Sequence, residues 1–344
     1  MNMSEDRQQS SLPDTGQKLL EIEHLTVRFK IDEGTFHAVD DVSFHVCRGE
    51  IVGIVGESGC GKSVTALSIL RLVPSPPGTI AGGRILYDGK DLLGLSHSEM
   101  RHIRGKSISM IFQEPLSALS PLHRIGSQLT EAIHLHRHVT GKEAWQVAEK
   151  WLGKVGIPDA RERMFAYPFQ LSGGMQQRIM IAMALMMSPR LVIADEPTTA
   201  LDVTIQAQIF ELIRKMRGEQ TSVLLITHDM GVIWEMCDRV VVMYASKIVE
   251  EGSVSDLFSR PAHPYTRGLL QSIPILNQKA KRLKAIPGQV PAPWNYPSGC
   301  RFRDRCIHAF NQCARQQPPW IDFGNGHGAA CFLAEQLTDP IVDS

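Results

Sequence analysis

Three features are missing from this sequence of 344 residues: an excess of one charge, a long apolar run and an apolar leader. Its 36 basic and 36 acidic side chains give no formal net charge, which argues against a strongly nucleic-acid-binding surface. The longest uncharged apolar run, residues 179–187, has about half the length of a membrane-spanning helix. Residues 1–18 are polar, unlike a signal peptide, and we expect a disordered tail there. The sequence therefore predicts a cytoplasmic protein that reaches a membrane only through a partner.

Cysteine is scarce over most of the chain and clustered near its end. Four of the seven cysteines, Cys300, Cys306, Cys313 and Cys331, have the spacing Cys-x5-Cys-x6-Cys-x17-Cys. In a reducing cytosol such a cluster favours metal binding over disulfides. Four thiolates can complete a tetrahedral zinc site or a [4Fe–4S] cluster. The long gaps favour the cluster, because zinc ribbons usually have tight Cys pairs; zinc and unligated thiols remain alternatives.

Short apolar runs alternate with helical patterns through much of the chain. They predict strands at 19–30, 35–46, 50–55, 83–87, 108–112, 191–194, 222–227 and 239–244. Such alternation favours an α/β fold with a parallel sheet. Helical periodicity dominates between 115 and 187, and beyond 258 several prolines interrupt regular structure. We therefore expect a helical insertion and a C-terminal appendage.

Residues 56–63 match the phosphate-loop pattern G-x-x-x-x-G-K-[ST] between a predicted strand and a predicted helix. In such a loop backbone N–H groups cradle phosphates, the lysine reaches the β and γ phosphates, and the final hydroxyl binds Mg²⁺. The predicted contacts are Gly56, Glu57, Ser58, Gly59, Cys60, Gly61, Lys62 and Ser63. Cys60 is either a thiol whose pKa is lowered by the helix dipole and Lys62, or a small side chain that the loop tolerates.

Polar residues follow three other predicted strands. Asp195 ends one strand, where it would contribute to the magnesium site, and Glu196 follows it, where a carboxylate could polarise the attacking water. His228 follows the strand at 222–227 and could hydrogen-bond the γ-phosphate, and Gln113 follows the strand at 108–112. Together they predict hydrolysis of the bound triphosphate.

The segment 171–178, Leu-Ser-Gly-Gly-Met-Gln-Gln-Arg, forms a second candidate phosphate site. Ser172, Gly173 and Gly174 lead into a predicted helix, so a hydroxyl, free N–H groups and the positive end of the helix dipole suit an anion. Because this segment is far along the chain from the phosphate loop, we expect its phosphate to belong to another site.

These motifs, in this order, resemble the nucleotide-binding subunits of ABC transporters. The resemblance implies a P-loop NTPase (RecA-like) core at 19–114 and 183–258 with an antiparallel β subdomain, a helical subdomain at 115–182, and a Cys-rich appendage at 259–344. It implies that Phe29 stacks on adenine, Gln113 completes the magnesium site, Glu196 is the catalytic base and His228 is the switch histidine. Residues 171–178 would be the signature, with Met175 in place of the common glutamine, and Ala200-Leu-Asp202 the D-loop. By this resemblance Ser172, Gly173 and Gly174 would cap an ATP held by a partner.

A narrower resemblance, to the oligopeptide/dipeptide importer ATPases and their nickel-importing relatives, comes from residues 111–121, 195–208 and 263–270. It implies a [4Fe–4S] cluster on the four late cysteines. The implied partners are a second, different ATPase subunit, two membrane permease subunits and, indirectly, a solute-binding protein, but no nucleic acid. It also implies a peripheral location on the cytoplasmic face of the membrane. The alternative is a soluble ABC-type mechanoenzyme that acts on nucleic acid or ribosomes.

Overall fold

The computed structural model describes residues 16–32, 34–115, 118–198, 201–217, 221–272 and 286–337. Its strands are β1 (Lys18–Ile31), β2 (Gly34–Cys47), β3 (Ile51–Val55), β4 (Gly78–Tyr87), β5 (Lys90–Asp91), β6 (Ile108–Ile111), β7 (Leu191–Asp195), β8 (Ser222–Ile226), β9 (Arg239–Tyr244), β10 (Lys247–Ser253), β11 (Ile321–Gly324) and β12 (His327–Ala329). Its helices are α1 (Lys62–Ile69), α2 (His97–Ile103), α3 (Ile125–His134), α4 (Gly141–Lys154), α5 (Ala160–Arg163), α6 (Gly173–Leu185), α7 (Val203–Arg217), α8 (Met230–Met236), α9 (Val254–Ser259), α10 (Pro264–Gln271), α11 (Asn311–Arg315) and α12 (Ala334–Leu337). Within these ranges no helix is both long enough and apolar enough to span a lipid bilayer.

The main sheet has eight strands in the order β11-β12-β10-β9-β3-β8-β7-β6. The five from β9 to β6 are parallel, as the predicted α/β pattern requires. Alternate residues of β3 contribute to two hydrophobic cores, Ile51 and Val55 to one and Val52 and Ile54 to the other. Because both faces of this strand are covered, its apolar run is continuous rather than alternating.

A second sheet of four antiparallel strands, β2-β1-β4-β5, covers one of these cores. In β1 buried Leu20 and Ile22 flank partly exposed Glu21, the alternation expected of a strand with one covered face. Their partners in β2 are the apolar Val46 and Phe44, so the register keeps the apolar side chains on the core side. This sheet is the predicted antiparallel β subdomain.

Helices α3, α4 and α6 pack on the other core and form the predicted helical part. Helix α4 begins at a capping box in which Thr140 and Glu143 satisfy each other's backbone N–H groups. Leu129, Ile133 and Leu152 are fully or almost fully buried in this core. Packing of the apolar stripes therefore joins these helices to the main sheet.

The C-terminal region is integrated into the core more closely than the predicted appendage implies. Strand β12 pairs with β10, with Ala329 opposite Glu250, and β11 pairs with β12, so this region extends the main sheet. Phe302 packs against Tyr244 of β9 and Tyr265 of α10, with ring centroids 5.1 and 5.5 Å apart. The described C-terminal residues therefore complete the edge of the sheet and share its core.

Candidate nucleotide site

The ends of the parallel strands open into a cleft of about 590 Å³. It is lined by Phe29, Phe36, Ala38, Gly56, Glu57, Ser58, Gly59, Gly61, Lys62, Ser63, Val64, Gln113, Glu196, His228 and Pro293. Loops that follow the carboxyl ends of parallel strands meet at one edge of a sheet, where ligands bind in open α/β folds. The structure thus brings most of the predicted nucleotide contacts together in one cleft.

The phosphate loop joins β3 to α1, which begins at Lys62. Gly56 has φ of 152°, and a Cβ atom there would lie 2.2 Å from the carbonyl oxygen of Met243, so only glycine fits. The ammonium group of Lys62 donates to the carbonyl oxygens of Gly56 at 2.7 Å and Glu57 at 3.1 Å. The lysine is therefore folded back over the loop that would receive the phosphates.

Asp195, at the end of β7, is buried and faces Ser63 of the phosphate loop. Burial raises the pKa of this carboxyl group, while a hydrogen bond with Ser63 opposes the rise. Its Oδ1 atom is buried and has no hydrogen-bond partner among the described residues. An uncompensated carboxylate oxygen beside a hydroxyl is a donor set suited to a hard cation such as Mg²⁺.

Glu196 follows β7 and is held from two sides. The Gln113 amide donates to its Oε2 atom at 3.1 Å, and Nδ1 of His228 lies 3.3 Å from its Oε1 atom. The backbone of Glu196 has φ of 46°, and its N–H group donates to the carbonyl of Ile226 at 2.9 Å. Three separate strand ends thus fix one carboxylate at the cleft.

Aromatic side chains line the other end of the cleft. Phe29 and Phe36, from β1 and β2, stack with ring centroids 5.9 Å apart. Trp294, from the C-terminal region, contacts Phe36 edge to face at 6.1 Å, and its neighbour Pro293 also lines the cleft. Phe36 and Pro293 were not predicted, because nothing in their local sequence differs from an ordinary strand or proline-rich loop.

The signature residues lie elsewhere. Ser172 is exposed and accepts a hydrogen bond from the Met175 N–H at 3.4 Å, so it caps the N-terminus of α6, which begins at Gly173. Among the described residues that line the cleft, none comes from 171–178. Asp202 caps α7 through the Ile205 N–H, and Ala200 lies outside the described residues. The signature therefore lies outside the cleft that contains the phosphate loop.

The surroundings of Cys60 distinguish the two interpretations given above, a thiol of lowered pKa and a small side chain that the loop tolerates. Its side chain is fully buried, and burial raises the pKa of the thiol although Lys62 lies nearby and opposes the rise. Desolvation therefore outweighs the effect of the Lys62 charge on the pKa of this thiol. The geometry favours the small packed side chain over the reactive thiol.

The four late cysteines line one small cavity, together with Arg303. Burial raises the pKa of Cys300 and of Cys331, each to about 11. Across the described residues, however, no group of three or more His, Cys, Asp or Glu side chains is arranged to hold a metal ion. The predicted cluster and its zinc alternative are therefore not confirmed.

The sequence alone allows two interpretations of Arg301, Arg303 and Arg305, compensation of a cluster's charge or a solvated basic face, and the structure supports neither for two of them. Arg301 pairs with Asp40 of β2, and Arg305 pairs with Glu57 of the phosphate loop. Only Arg303 lines the cysteine cavity. Two of these basic side chains thus join the C-terminal region to the nucleotide-binding core, a role that no local pattern signals.

Comparisons with known proteins agree with this fold. Residues 39–199 match the family model described as ABC transporter, and residues 249–313 match the one described as oligopeptide/dipeptide transporter, C-terminal region. The chain is 49% identical to the oligopeptide transport ATP-binding protein AppD of Bacillus subtilis over 92% of this chain and 97% of that protein. It is 48% identical to the dipeptide transport ATP-binding protein DppD of the same organism, over 95% of this chain and 98% of the relative.

A solved structure supports the same assignment. The dimeric ATP-binding cassette MJ0796, in a post-hydrolysis state with ADP and phosphate, matches with a TM-score of 0.62 and 28% identity. The match covers 68% of this chain and 98% of that one. The predicted fold class and family are confirmed: the chain belongs to the ABC transporter family, as an ATP-binding subunit of the peptide-transporter type.

Proposed function

We propose that this ATPase energises the import of di- or oligopeptides through a pore formed by membrane permease subunits. The proposal is supported by the peptide transport named for the relatives AppD and DppD and by the match of residues 249–313. The neutral composition gives no support to the nucleic-acid alternative. We further propose the division of the chain into the core, helical and C-terminal parts given above.

The observation that carries the mechanism is the carboxylate of Glu196, held by Gln113 and His228 at the cleft. We assign Glu196 as the base that orients water and accepts its proton while the water oxygen attacks the γ-phosphorus and the bond to the ADP oxygen breaks. Lys62 and His228 stabilise the charge that develops on the phosphoryl oxygens. Ser63, Asp195 and Gln113 would hold Mg²⁺, which when bound would neutralise phosphate charge.

The nucleotide itself would lie along the cleft. Its phosphates would meet the N–H groups of residues 56–63, and its adenine would stack on Phe29 at the aromatic end. The unpartnered Oδ1 of Asp195 and the lining of the cleft support this orientation. The cleft and the signature lie apart, and we propose that Ser172, Gly173, Gly174 and the D-loop Asp202 complete the site of a second, homologous ATPase subunit.

The helical part offers a surface for the membrane subunits. Phe165 and Phe169, four residues apart in the chain, are exposed by 54 and 70%, although they are large and apolar. Neighbouring exposed aromatic side chains of this kind indicate a binding face. We propose that the permeases dock here and hold the subunit at the cytoplasmic face of the membrane, while a solute-binding protein delivers the peptide from the other side.

The cysteine cavity is the proposed place of a [4Fe–4S] cluster, with Zn²⁺ as the alternative. Four cysteines from separate turns line the same cavity, as ligands of a group larger than one ion would. A ligating thiol is deprotonated by its metal, so binding would reverse the raised pKa of Cys300 and Cys331. The group would join the separate turns on which these four cysteines lie.

Substitution of Glu196 tests the mechanism. We expect Glu196→Gln to retain ATP binding and to lose turnover by roughly a thousandfold, since the amide cannot accept the proton. The matched control is Glu235→Gln, because Glu235 is an exposed carboxylate that pairs with Arg214 outside the cleft. Turnover by Glu196→Gln close to that of the control would exclude Glu196 as the base.

A further inference from the structure

The phosphate loop is held from outside by two residues of the C-terminal part. Arg305 lies between Cys300 and Cys306, and its two terminal nitrogens donate to both carboxylate oxygens of Glu57, at 2.5 and 3.0 Å. The hydroxyl oxygen of Tyr265 accepts a hydrogen bond from the Glu57 N–H at 2.8 Å. Glu57 is the second residue of the loop, so both its side chain and its backbone are fixed by residues far along the sequence.

Arg305 is itself locked in place. Its side chain is only 5% exposed. Its Nε atom donates to the carbonyl of Pro287 at 2.9 Å, and its guanidinium lies 5.7 Å from the ring centroid of Tyr244 and 6.0 Å from that of Phe302. A planar fork held by stacking and hydrogen bonds loses little entropy when it pairs with a carboxylate. Arg305 therefore presents a preorganised partner to the loop.

The pairing matters because of where Glu57 lies. Glu57 lines the cleft, and its carbonyl oxygen accepts a hydrogen bond from Lys62. An unpaired carboxylate beside the phosphate loop would repel a triphosphate, with little screening by solvent in a part-buried site. The bidentate pair cancels this charge and fixes the backbone from which the loop begins.

We propose that Arg305 is a positioning residue for nucleotide binding, which neutralises and holds Glu57 so that the phosphate loop accepts a triphosphate. It acts through Glu57 and does not touch the nucleotide. This inference rests on the proposed placement of the phosphates at residues 56–63. It makes the C-terminal part, including the turn between two of the late cysteines, a component of the ATP site.

The test compares full-length variants by the Kd for the non-hydrolysable analogue AMP-PNP, and by kcat and KM for ATP in the assembled transporter. Arg305→Met is expected to raise the Kd and KM by roughly tenfold while kcat changes less, and Arg305→Lys is expected to lie between it and the parent. Arg260→Met is the matched control, because Arg260 also pairs with a carboxylate, that of Asp256, but is exposed and does not line the cleft. The Arg260→Met variant should bind AMP-PNP like the parent.

A double variant separates the charge effect from general damage. Glu57→Gln in the Arg305→Met chain removes the unpaired carboxylate and should recover most of the lost affinity. Parent-like affinity in both Arg305 variants would overturn the proposal, as would a loss that Glu57→Gln fails to relieve. If Arg305→Met does not fold, Arg305→Lys with and without Glu57→Gln decides in the same way.

One further variant keeps the two proposals distinct. Lys62→Ala removes an expected phosphate contact, so AMP-PNP binding should be lost whatever Arg305 does. Unchanged binding by Lys62→Ala would overturn the placement of the phosphates. If Lys62→Ala loses AMP-PNP binding while both Arg305 variants bind AMP-PNP like the parent, only the proposed role of Arg305 is overturned.

Discussion

Two carboxylates flank Arg239 at the start of β9, and these ion pairs differ from the surface ion pairs because they are buried. Glu50 accepts from Arg239 Nε at 2.9 Å and Nη2 at 3.2 Å, and Glu251 accepts from Nη1. Burial tends to raise the pKa of Glu50, but Arg239 and the Cys47 N–H outweigh it and hold the pKa below its ordinary value of 4.5. The exposed pair of Arg214 and Glu235 has similar distances but is screened by solvent.

Glu50→Gln should therefore lower the free energy of unfolding by about 3 kcal/mol at pH 7, because it leaves a buried guanidinium with one fewer counter-charge. The folded pKa of Glu50 is depressed, so its stabilisation is present above pH 4.5 and is lost as the pH falls through the folded pKa. Urea unfolding of the parent and of Glu50→Gln, at pH 7 and at lower pH, measures both effects. The difference in free energy of unfolding between the two proteins should shrink as the pH falls. Glu235→Gln serves as the surface control. An equally small change in the free energy of unfolding of both variants would contradict the prediction.

Among the elements, the strongly patterned strands and the phosphate loop were predictable and the C-terminal strands were not. Strand β3 has a continuous apolar run followed by a motif, so its position and type followed from its own residues. Strand β12 has three residues, His327–Ala329, which carry no periodicity, and only its pairing with β10 defines it. The contact of Arg305 with Glu57 likewise joins positions distant in sequence, which a single sequence does not reveal.

The turns that carry the late cysteines depend on one close approach of backbone. Gly299 has φ of 68°, and a Cβ atom there would lie 2.4 Å from the Cys313 carbonyl oxygen, which also accepts the Cys300 N–H at 2.8 Å. Gly299→Ala should therefore shift Cys300 away from Cys313. On the proposal of a [4Fe–4S] cluster, the purified variant should contain much less iron than the parent and show weaker cluster absorbance. Anaerobic preparations assayed for iron and zinc give the measurement.

Gly324→Ala is the control for this change, because Gly324 has a similar φ of 79° but no atom within 4 Å of the added Cβ. It introduces the same backbone strain without the clash. Full iron content in Gly299→Ala would contradict the predicted dependence on this contact, and zinc in place of iron in the parent would exclude the [4Fe–4S] proposal.

At the scale of the whole molecule, the cleft and the N-terminus of α6 are two candidate anion sites, and among the described residues none of the signature lines the cleft. Lys62 and Ser63 line the cleft, while Ser172 caps α6 among exposed residues. A helix N-terminus with an exposed hydroxyl suits a phosphate brought by another molecule. The solved relative MJ0796 with ADP and phosphate is itself described as dimeric. Two subunits that exchange these half-sites would each need the other for turnover, although either could bind nucleotide alone.

Ser172→Asp separates binding from assembly. Aspartate keeps the capping acceptor at the N-terminus of α6 but places a negative charge where the partner's phosphates would lie. We expect the isolated chain to bind AMP-PNP like the parent, while ATP turnover by the assembled transporter falls by roughly a hundredfold. Ser172→Asn, which keeps the cap without the charge, should retain much more turnover. Weaker nucleotide binding by the isolated Ser172→Asp chain would mean that the signature contributes to this chain's own nucleotide site. Equal turnover by the Ser172→Asp and Ser172→Asn variants would mean that Ser172 does not contribute to the partner's nucleotide site.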